Sequence, residues 1–565
     1  MIVSNFISIL PQKALLHHFL GILPAYFLMA YFSTVYNGIV PFLLISLLFQ
    51  FLCGIAISVF LSEDTLKVDW RNQRTSILAL ITTAILPVSA AFISWQFPDL
   101  FDRRLIFMDA GRFPAFLGLM VISTPLSLWV NNFLGRSRLF HTTDAPRPIR
   151  FLQRNRAGAM AASLFFLTYF IFAQSLNFPA HYTRDRYFET DISDWITRLT
   201  TRPTDDQFPV RAVHPAVLLF LRPLVWLLSI PLNGDKLQAA FMLSALAGSA
   251  CVFLIWKIVK QRTGSTAYAL ISASVLGTSA SHMLLSSMLE TYIFSALALI
   301  FFCFLIQNDK TSLWQVIPTG VVIFGITVSN LAQACILYFF RALRIGTLLK
   351  FLILVVTITM ALHLVQTRLY PNSLLMTASN LARERTYSFD LFESSWQTIG
   401  RFNLTARAIL LYGIVAPEPF ILSEELGETT PNFRTFRLGS KELSVAGYRG
   451  LAEIAVISWT IVLLLTSIQF STKMLNSPRT MAFHLSLLSC LGFNFVLHIL
   501  YGDDPMLYSP NWVYALVLFV SITCEKWADN QWIQIGLIAF LALMIFTNLG
   551  LIHLIMSISL PFYGG

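Results

Sequence analysis

Charge is what this sequence has least of. Asp, Glu, Lys and Arg make up 12% of its 565 residues, where an average soluble domain carries about 25%. So little charge leaves too little polar surface to keep a chain of this length in water, and a soluble fold is excluded. The six cysteines (Cys53, Cys251, Cys303, Cys335, Cys490, Cys524) are scattered through apolar segments. None has metal-ligand spacing, so they read as small buried hydrophobes. A Gly-rich P-loop and a His-Glu metalloprotease pattern are both missing, which argues against soluble nucleotide chemistry and zinc proteolysis. The strand alternation of an outer-membrane barrel is missing too. The N-terminus has no basic head followed by a small-residue cleavage site, so the first apolar run is expected to stay as a helix.

What is present is apolar sequence. Hydrophobic residues make up 56% of the chain, and mean hydropathy is +0.68. Runs of roughly 17–25 apolar residues recur throughout, the length that crosses a bilayer core as helix. Backbone groups in hydrocarbon must satisfy one another, so these runs are expected to be helical. The expected fold is an all-α polytopic bundle of about 14–15 spans. Helices are placed near 14–33, 40–61, 76–96, 113–132, 158–176, 238–256, 266–283, 289–306, 313–329, 331–347, 349–367, 454–470, 480–500, 511–524 and 533–557.

The net charge of +10 is not a nucleic-acid footprint, because the basic residues sit mainly in short loops. Residues 134–157 hold Arg136, Arg138, Arg147, Arg150, Arg154 and Arg156 against one acid, Asp144. The positive-inside rule makes this loop cytoplasmic. The loops with Lys67, Arg71 and Arg74, with Lys257, Lys260 and Arg262, and with Arg341, Arg344 and Lys350 should share that side. They do so only if the short run 216–230, interrupted by Arg222 and Pro223, does not span. It is read as a helix at the outer membrane surface. Segments 177–237 and 368–453 then lie outside. Four parts result: an N-terminal module with its basic linker (1–150), a membrane core (151–367), an extracytoplasmic loop (368–453) and C-terminal spans (454–565).

Four polar clusters, far apart in sequence, converge on that outer face. In the first, Arg186 and Glu189 precede Asp191 and Asp194, which share a helical face by their spacing. Acids held against an apolar surface are candidates for general-base work, although they would equally solvate an interfacial helix and pair with neighbouring arginines. In the second, Arg211 and His214–Pro215 open the interfacial run, where a guanidinium fork and a helix N-terminus suit a phosphate. Interfacial anchoring is the other reading. The third is Glu290 with Tyr292, which would equally be an acid at a helix N-terminus. The fourth is the short loop with Asp503, Asp504 and Tyr508, otherwise a turn with an aromatic belt. Together they suggest a cavity for a phosphate-bearing lipid and a polyhydroxyl acceptor.

This order of features resembles the C-type (GT-C) integral membrane glycosyltransferases, the superfamily of protein mannosyltransferases and aminoarabinose transferases. The resemblance spans roughly 158–560 and is one of layout and short motifs. It implies a polyprenyl-phosphate- or diphosphate-linked sugar donor and a glycan, lipid or protein acceptor on the non-cytoplasmic face. Asp191, then Asp194, would be the catalytic carboxylate. Arg211, His214 and Arg186 would bind the donor phosphate. Glu189, Glu290, Tyr292, Asp503, Asp504 and Tyr508 would line the sugar or acceptor pocket. A divalent metal assists some members; no metal site is evident here and no cofactor is assigned. The adjacent Asp-Glu pair typical of the mannosyltransferases is replaced by Glu189-Thr190-Asp191, which argues against protein mannosylation. The expected partners are the lipid-linked donor, the acceptor and membrane lipid, without nucleic acid. The expected location is a bacterial inner membrane, with the site facing the periplasm.

Two alternatives stay open. A transporter or flippase of lipid-linked saccharide would place ionisable groups or broken helices near the midplane, whereas the acids here cluster at one surface. A surface-polysaccharide polymerase or ligase would share the outer face and an arginine-rich loop. The arginines of 368–453, among them Arg383, Arg385, Arg401, Arg407, Arg434 and Arg437, match nothing assignable.

Overall fold

A computed structural model describes residues 12–35, 38–60, 70–97, 107–136, 147–177, 186–202, 209–307, 312–389, 394–422, 431–476 and 481–563. Lys67, Arg138, Asp144, Asp185 and Arg184 lie outside these residues. The chain is helical and suited to a membrane. Among the described residues eight helices can cross one by length and hydropathy, or nine if a bent pair counts as one span, fewer than the about 14–15 expected. Other apolar helices are only 10–17 residues long. At about 1.5 Å per residue, these fall short of the roughly 30 Å hydrocarbon core.

The chain forms two compact units, Met1–Arg74 with Asp102–Met160, and Thr75–Phe101 with Ala161–Gly565. Three helices of the smaller unit, Gln12–Val35, Ile39–Phe60 and Arg112–Arg136, pack around Ala25, Met29, Phe42, Phe116 and Met120. A buried polar contact joins them: His18 lies 3.0 Å from the Gln50 amide nitrogen, and the Ser123 hydroxyl donates to Gln50 Oε1 at 2.6 Å. The helix Trp70–Gln96, read from sequence with the N-terminal module, falls almost wholly in the larger unit.

The larger unit carries the polar clusters. Its relevant helices are α1 (Arg156–Leu176), α2 (Ile192–Thr200), α3 (Val217–Ser229), α4 (Lys236–Thr263), α5 (Thr266–Thr278), α6 (Ala280–Ser287), α7 (Tyr292–Ile306), α8 (Ser395–Arg407) and α9 (Ala482–Leu500). Two short strands, β1 (Phe420–Ile421) and β2 (Phe433–Arg434), pair antiparallel.

The run read as one helix over 266–283 is broken. α5 and α6 meet at 62°, because Ser279 is extended (ψ 141°) and stops the first helix. Backbone groups freed by such a break need partners in an apolar interior. Ala280 and Ser281 donate their amides to Ile414 and Gly413 carbonyls at 3.1 Å each. The Asn548 side chain donates to Thr278 and Ile414 carbonyls at 2.7 and 2.8 Å and accepts from the Ala416 amide at 2.8 Å. Gly248 allows α6 to lie against α4, since a Cβ there would stand 2.2 Å from the Ser286 hydroxyl.

α3 is the run read as interfacial. At 13 residues it is too short to span. Arg222, which interrupts the run, is buried. It donates to the Arg198 carbonyl at 2.7 Å and to the Thr201 carbonyl, capping the C-terminus of α2. Its guanidinium lies between Trp226 and Tyr370.

Candidate functional site

The site is built where α6 gives way to α7. Asn177, just past α1, donates to the Ser287 carbonyl at 2.8 Å and accepts from the Leu289 amide at 2.9 Å. The Ser244 hydroxyl donates to the Met288 carbonyl at 3.0 Å. Clamped this way, the link presents the buried Glu290 carboxyl to the start of α2. Glu290 accepts from the Thr291 amide at 3.2 Å and from the backbone amide of Asp191. Two acids separated by 99 positions are thus joined directly. Asp191 is only partly buried. Burial pushes the Glu290 carboxyl well above the usual carboxylate range, and the nearby Asp191 charge adds to this. The two amide donors pull the other way and are outweighed.

Asp194, one turn further along α2, is in a different setting. It is 4% exposed and pairs with Arg198 at 3.3 Å. Arg198 also donates to the Pro209 carbonyl at 3.2 Å and lies over the Trp195 ring. An i,i+4 acid–base pair of this kind fixes a helix face.

Arg211 stands on a segment braced on two sides. Val210 exchanges backbone bonds with Asn372 and Leu374, and Val213 accepts from Val328 at 3.1 Å. Gln366 donates to the His214 carbonyl at 3.0 Å and accepts from the Leu218 amide at 2.9 Å. The Arg211 guanidinium forks onto Glu384, with Nε to Oε1 at 3.1 Å and Nη2 to Oε2. It also donates to the Tyr501 hydroxyl at 2.7 Å and covers the Tyr387 ring at 4.4 Å. Tyr501 donates to Glu384 at 2.7 Å. Burial alone would raise the Glu384 carboxyl; its bonds to Arg211 and Tyr501 hold it below the usual range instead.

His214 donates through Nδ1 to the Ile326 carbonyl at 2.6 Å and meets Trp195 edge-on. Burial, with the Arg211 charge nearby, lowers it to about 4. A histidine held neutral brings no positive charge to a phosphate.

The remaining predicted residues divide between this neighbourhood and its frame. Tyr292 meets Tyr508 edge-on at 5.2 Å, and both hydroxyls feel the charges of Asp191 and Arg211. Glu189 pairs with Arg434. Arg186, partly buried, gives its carbonyl to the Phe433 amide at 2.8 Å. Asp504 is fully buried and accepts from the Thr435 amide and hydroxyl at 2.6 and 2.7 Å, so it is an anchor. Asp503 is exposed, and its carbonyl accepts from Arg401 at 2.7 Å.

Sequence reasoning missed Glu384, Asn177 and the role of Arg401. Arg401, 2% exposed, gives its donors to carbonyls of His498, Tyr501, Gly502 and Asp503. It thereby shapes the turn after α9 that delivers Tyr501. Glu384 had a signal: it is an acid flanked by Arg383 and Arg385.

Among the described residues no three His, Cys, Asp or Glu side chains are placed to hold a metal ion. Asp191 and Glu290 make only a pair, and both Glu290 oxygens accept backbone amides.

No family model, curated protein or solved structure matches the chain.

Proposed function

We propose that the chain is a membrane glycosyltransferase that moves a sugar from a polyprenyl-phosphate or diphosphate carrier to an acceptor hydroxyl. The reading rests on one observation, the contact between Asp191 and the buried Glu290 carboxyl. A buried carboxyl that keeps its proton beside a second, less buried acid suits acid–base work. With Glu290 holding its proton, the less buried Asp191 is the carboxyl that takes the role of base. The acceptor hydroxyl gives its proton to Asp191 as its oxygen bonds to the anomeric carbon. The bond from that carbon to the carrier phosphate breaks, and the phosphate leaves with the electron pair. Arg211 and Tyr501 would meet that phosphate, since the charges of Arg211 and Asp191 act on the same two hydroxyls, those of Tyr292 and Tyr508. Arg211 is already shared with Glu384, so it serves as a tempered positive field rather than a free fork. Tyr292 and Tyr508 supply the aromatic wall on which sugar rings pack. The site would face the side away from the basic loops, in a bacterial inner membrane.

The bent pair α5/α6 favours a second reading, a lipid-saccharide transporter, because discontinuous helices line transport sites. Against it, Asn548 and residues 413–416 close that break from within the protein.

The deciding experiment offers a panel of polyprenyl-phosphate sugars to the protein in proteoliposomes, comparing wild type with Asp191→Asn. Removing a general base lowers turnover about 10²–10⁴-fold, and that loss with folding intact is the expected result. Equal turnover in both proteins would clear Asp191. Translocation of lipid-linked saccharide without transfer would establish the transporter instead.

A further inference from the structure

The backbone just before Asp191 is strained. Phe188 and Glu189 have φ of 53° and 67°, in the left-handed region that side chains with a Cβ avoid. Such a residue persists only where its surroundings enforce it. Phe188 is buried, so it cannot relax into solvent. The turn is closed by the Thr190 amide on the Tyr187 carbonyl at 3.1 Å. It ends with the Asp191 amide on Glu290.

The enforcing partner comes from far along the chain. The Phe188 amide donates to the Phe433 carbonyl, and the Phe433 amide donates to the Arg186 carbonyl, both at 2.8 Å. The rings of Tyr187 and Phe433 lie 5.8 Å apart. Arg434 pairs with Glu189, one of the two strained residues, and its Nε donates to Asn432 at 2.7 Å. This segment is fixed in turn. β2 pairs with β1, and Thr435 is held through amide and hydroxyl by buried Asp504. Arginine, strand and anchor converge on the one turn that delivers Asp191.

We infer that Arg434 is a positioning residue: with Phe433 it clamps residues 186–191 in the strained turn that sets Asp191 against Glu290. The inference rests on the reading of Asp191 and Glu290 as the working pair, and it gives the arginine-rich segment 368–453 a role in assembling the site. Arg434 acts here through the Glu189 carboxylate, and Phe433 through the backbone of Arg186 and Phe188.

The test uses the full chain in nanodiscs with four variants: Arg434→Ala, Arg434→Lys, Glu189→Gly and the double variant Glu189→Gly/Arg434→Ala. Two readouts are taken, hydrogen exchange of the 186–191 amides and sugar transfer. Glycine accepts positive φ without cost, so Glu189→Gly relieves one of the two strained residues and removes the carboxylate through which Arg434 holds the turn. Arg434→Ala is expected to speed exchange at the Phe188 and Asp191 amides and to slow transfer, each by roughly tenfold, the equivalent of about 1.4 kcal/mol. Arg434→Lys keeps the charge on Glu189 and should stay near wild type. In the Glu189→Gly background, adding Arg434→Ala should change neither readout appreciably. An equal loss of transfer in both backgrounds with exchange unmoved would overturn the inference and make Arg434 a ligand contact. Exchange and transfer both unmoved in Arg434→Ala would overturn it as well. If exchange follows the expected pattern but no variant transfers sugar, the clamp stands and the glycosyltransferase reading fails.

Discussion

Glu290 is buried and Glu384 half-buried, and the two glutamates hold their protons in opposite ways. Glu290 has an acid for its nearest charged neighbour and only backbone amides for donors, so burial drives its affinity for a proton up. Glu384 is gripped by Arg211 and Tyr501 and is driven down, although burial acts on it in the same direction. The difference teaches that burial sets the stakes while the neighbour sets the sign. One end of the site is therefore acid against acid, with a spare proton. The other is acid against base, with its charges cancelled.

His214, beside the Arg211 end, sharpens the comparison most, because it is a base that burial acts on without a carboxylate partner of its own. Its folded value of about 4 lies below the ordinary 6.5. Between these values the unfolded chain binds the proton and the folded chain does not. Stability is therefore complete above pH 6.5 and is lost as pH falls toward 4. The full difference amounts to about 3 kcal/mol. The measurement is the thermal midpoint of the detergent-solubilised protein against pH. A steep fall below 6.5 is expected in wild type and a flatter one in His214→Asn. Equal slopes would mean that His214 is not held neutral by its surroundings.

Glu384 comes next in size. Glu384→Gln leaves the Arg211 guanidinium without its fork. Removing one partner of a buried pair costs about 3–5 kcal/mol, but Arg211 is 26% exposed, so about 2 kcal/mol is the fair expectation. The pH signature is separate. A carboxyl lowered on folding adds stability that is present above the ordinary glutamate value and lost as pH falls through its lowered one. Denaturant unfolding at neutral and at acid pH reads both. The variant should lose stability at neutral pH and lose less on acidification than wild type. A variant as stable as wild type would reduce the Arg211 pair to a surface contact.

How much of this was legible beforehand differs between the fold and the site. The helices could be read because membrane helices announce themselves by length and apolarity, residue after residue. The break at Ser279 was not visible, because its partners, Asn548 and the carbonyls of residues 413 and 414, lie far away in sequence. The convergence of Asp191 with Glu290 was anticipated from topology, which places loops on a common side without giving contacts. Glu384 escaped for the complementary reason. It stands among Arg383 and Arg385, and sequence gives no cause to prefer Arg211, 173 positions away, as its partner. Arg401 was one of several arginines in a polar segment that matched nothing assignable. Its burial depends on four backbone carbonyls arranged by a turn near residue 500, and no side-chain pattern encodes that.

The smallest expected effect strikes at the comparison itself. If Glu290 carries its proton at neutral pH, glutamine is a near replica of it in shape and charge. Glu290→Gln should then keep sugar transfer within about tenfold of wild type, some 1.4 kcal/mol, where Asp191→Asn loses far more. Stability gives the sign independently. A carboxyl raised on folding keeps its proton where the unfolded chain has lost it, so its contribution falls as pH rises above the ordinary glutamate value. The Gln variant should therefore gain on wild type with rising pH, opposite to the trend for Glu384→Gln on acidification. Transfer rates and thermal midpoints across pH 5–9 would read both effects. A collapse of transfer in Glu290→Gln, with no gain at high pH, would mean that Glu290 works as an anion. The two glutamates would then share one sign, and the reading of Asp191 as the base beside a neutral partner would fail.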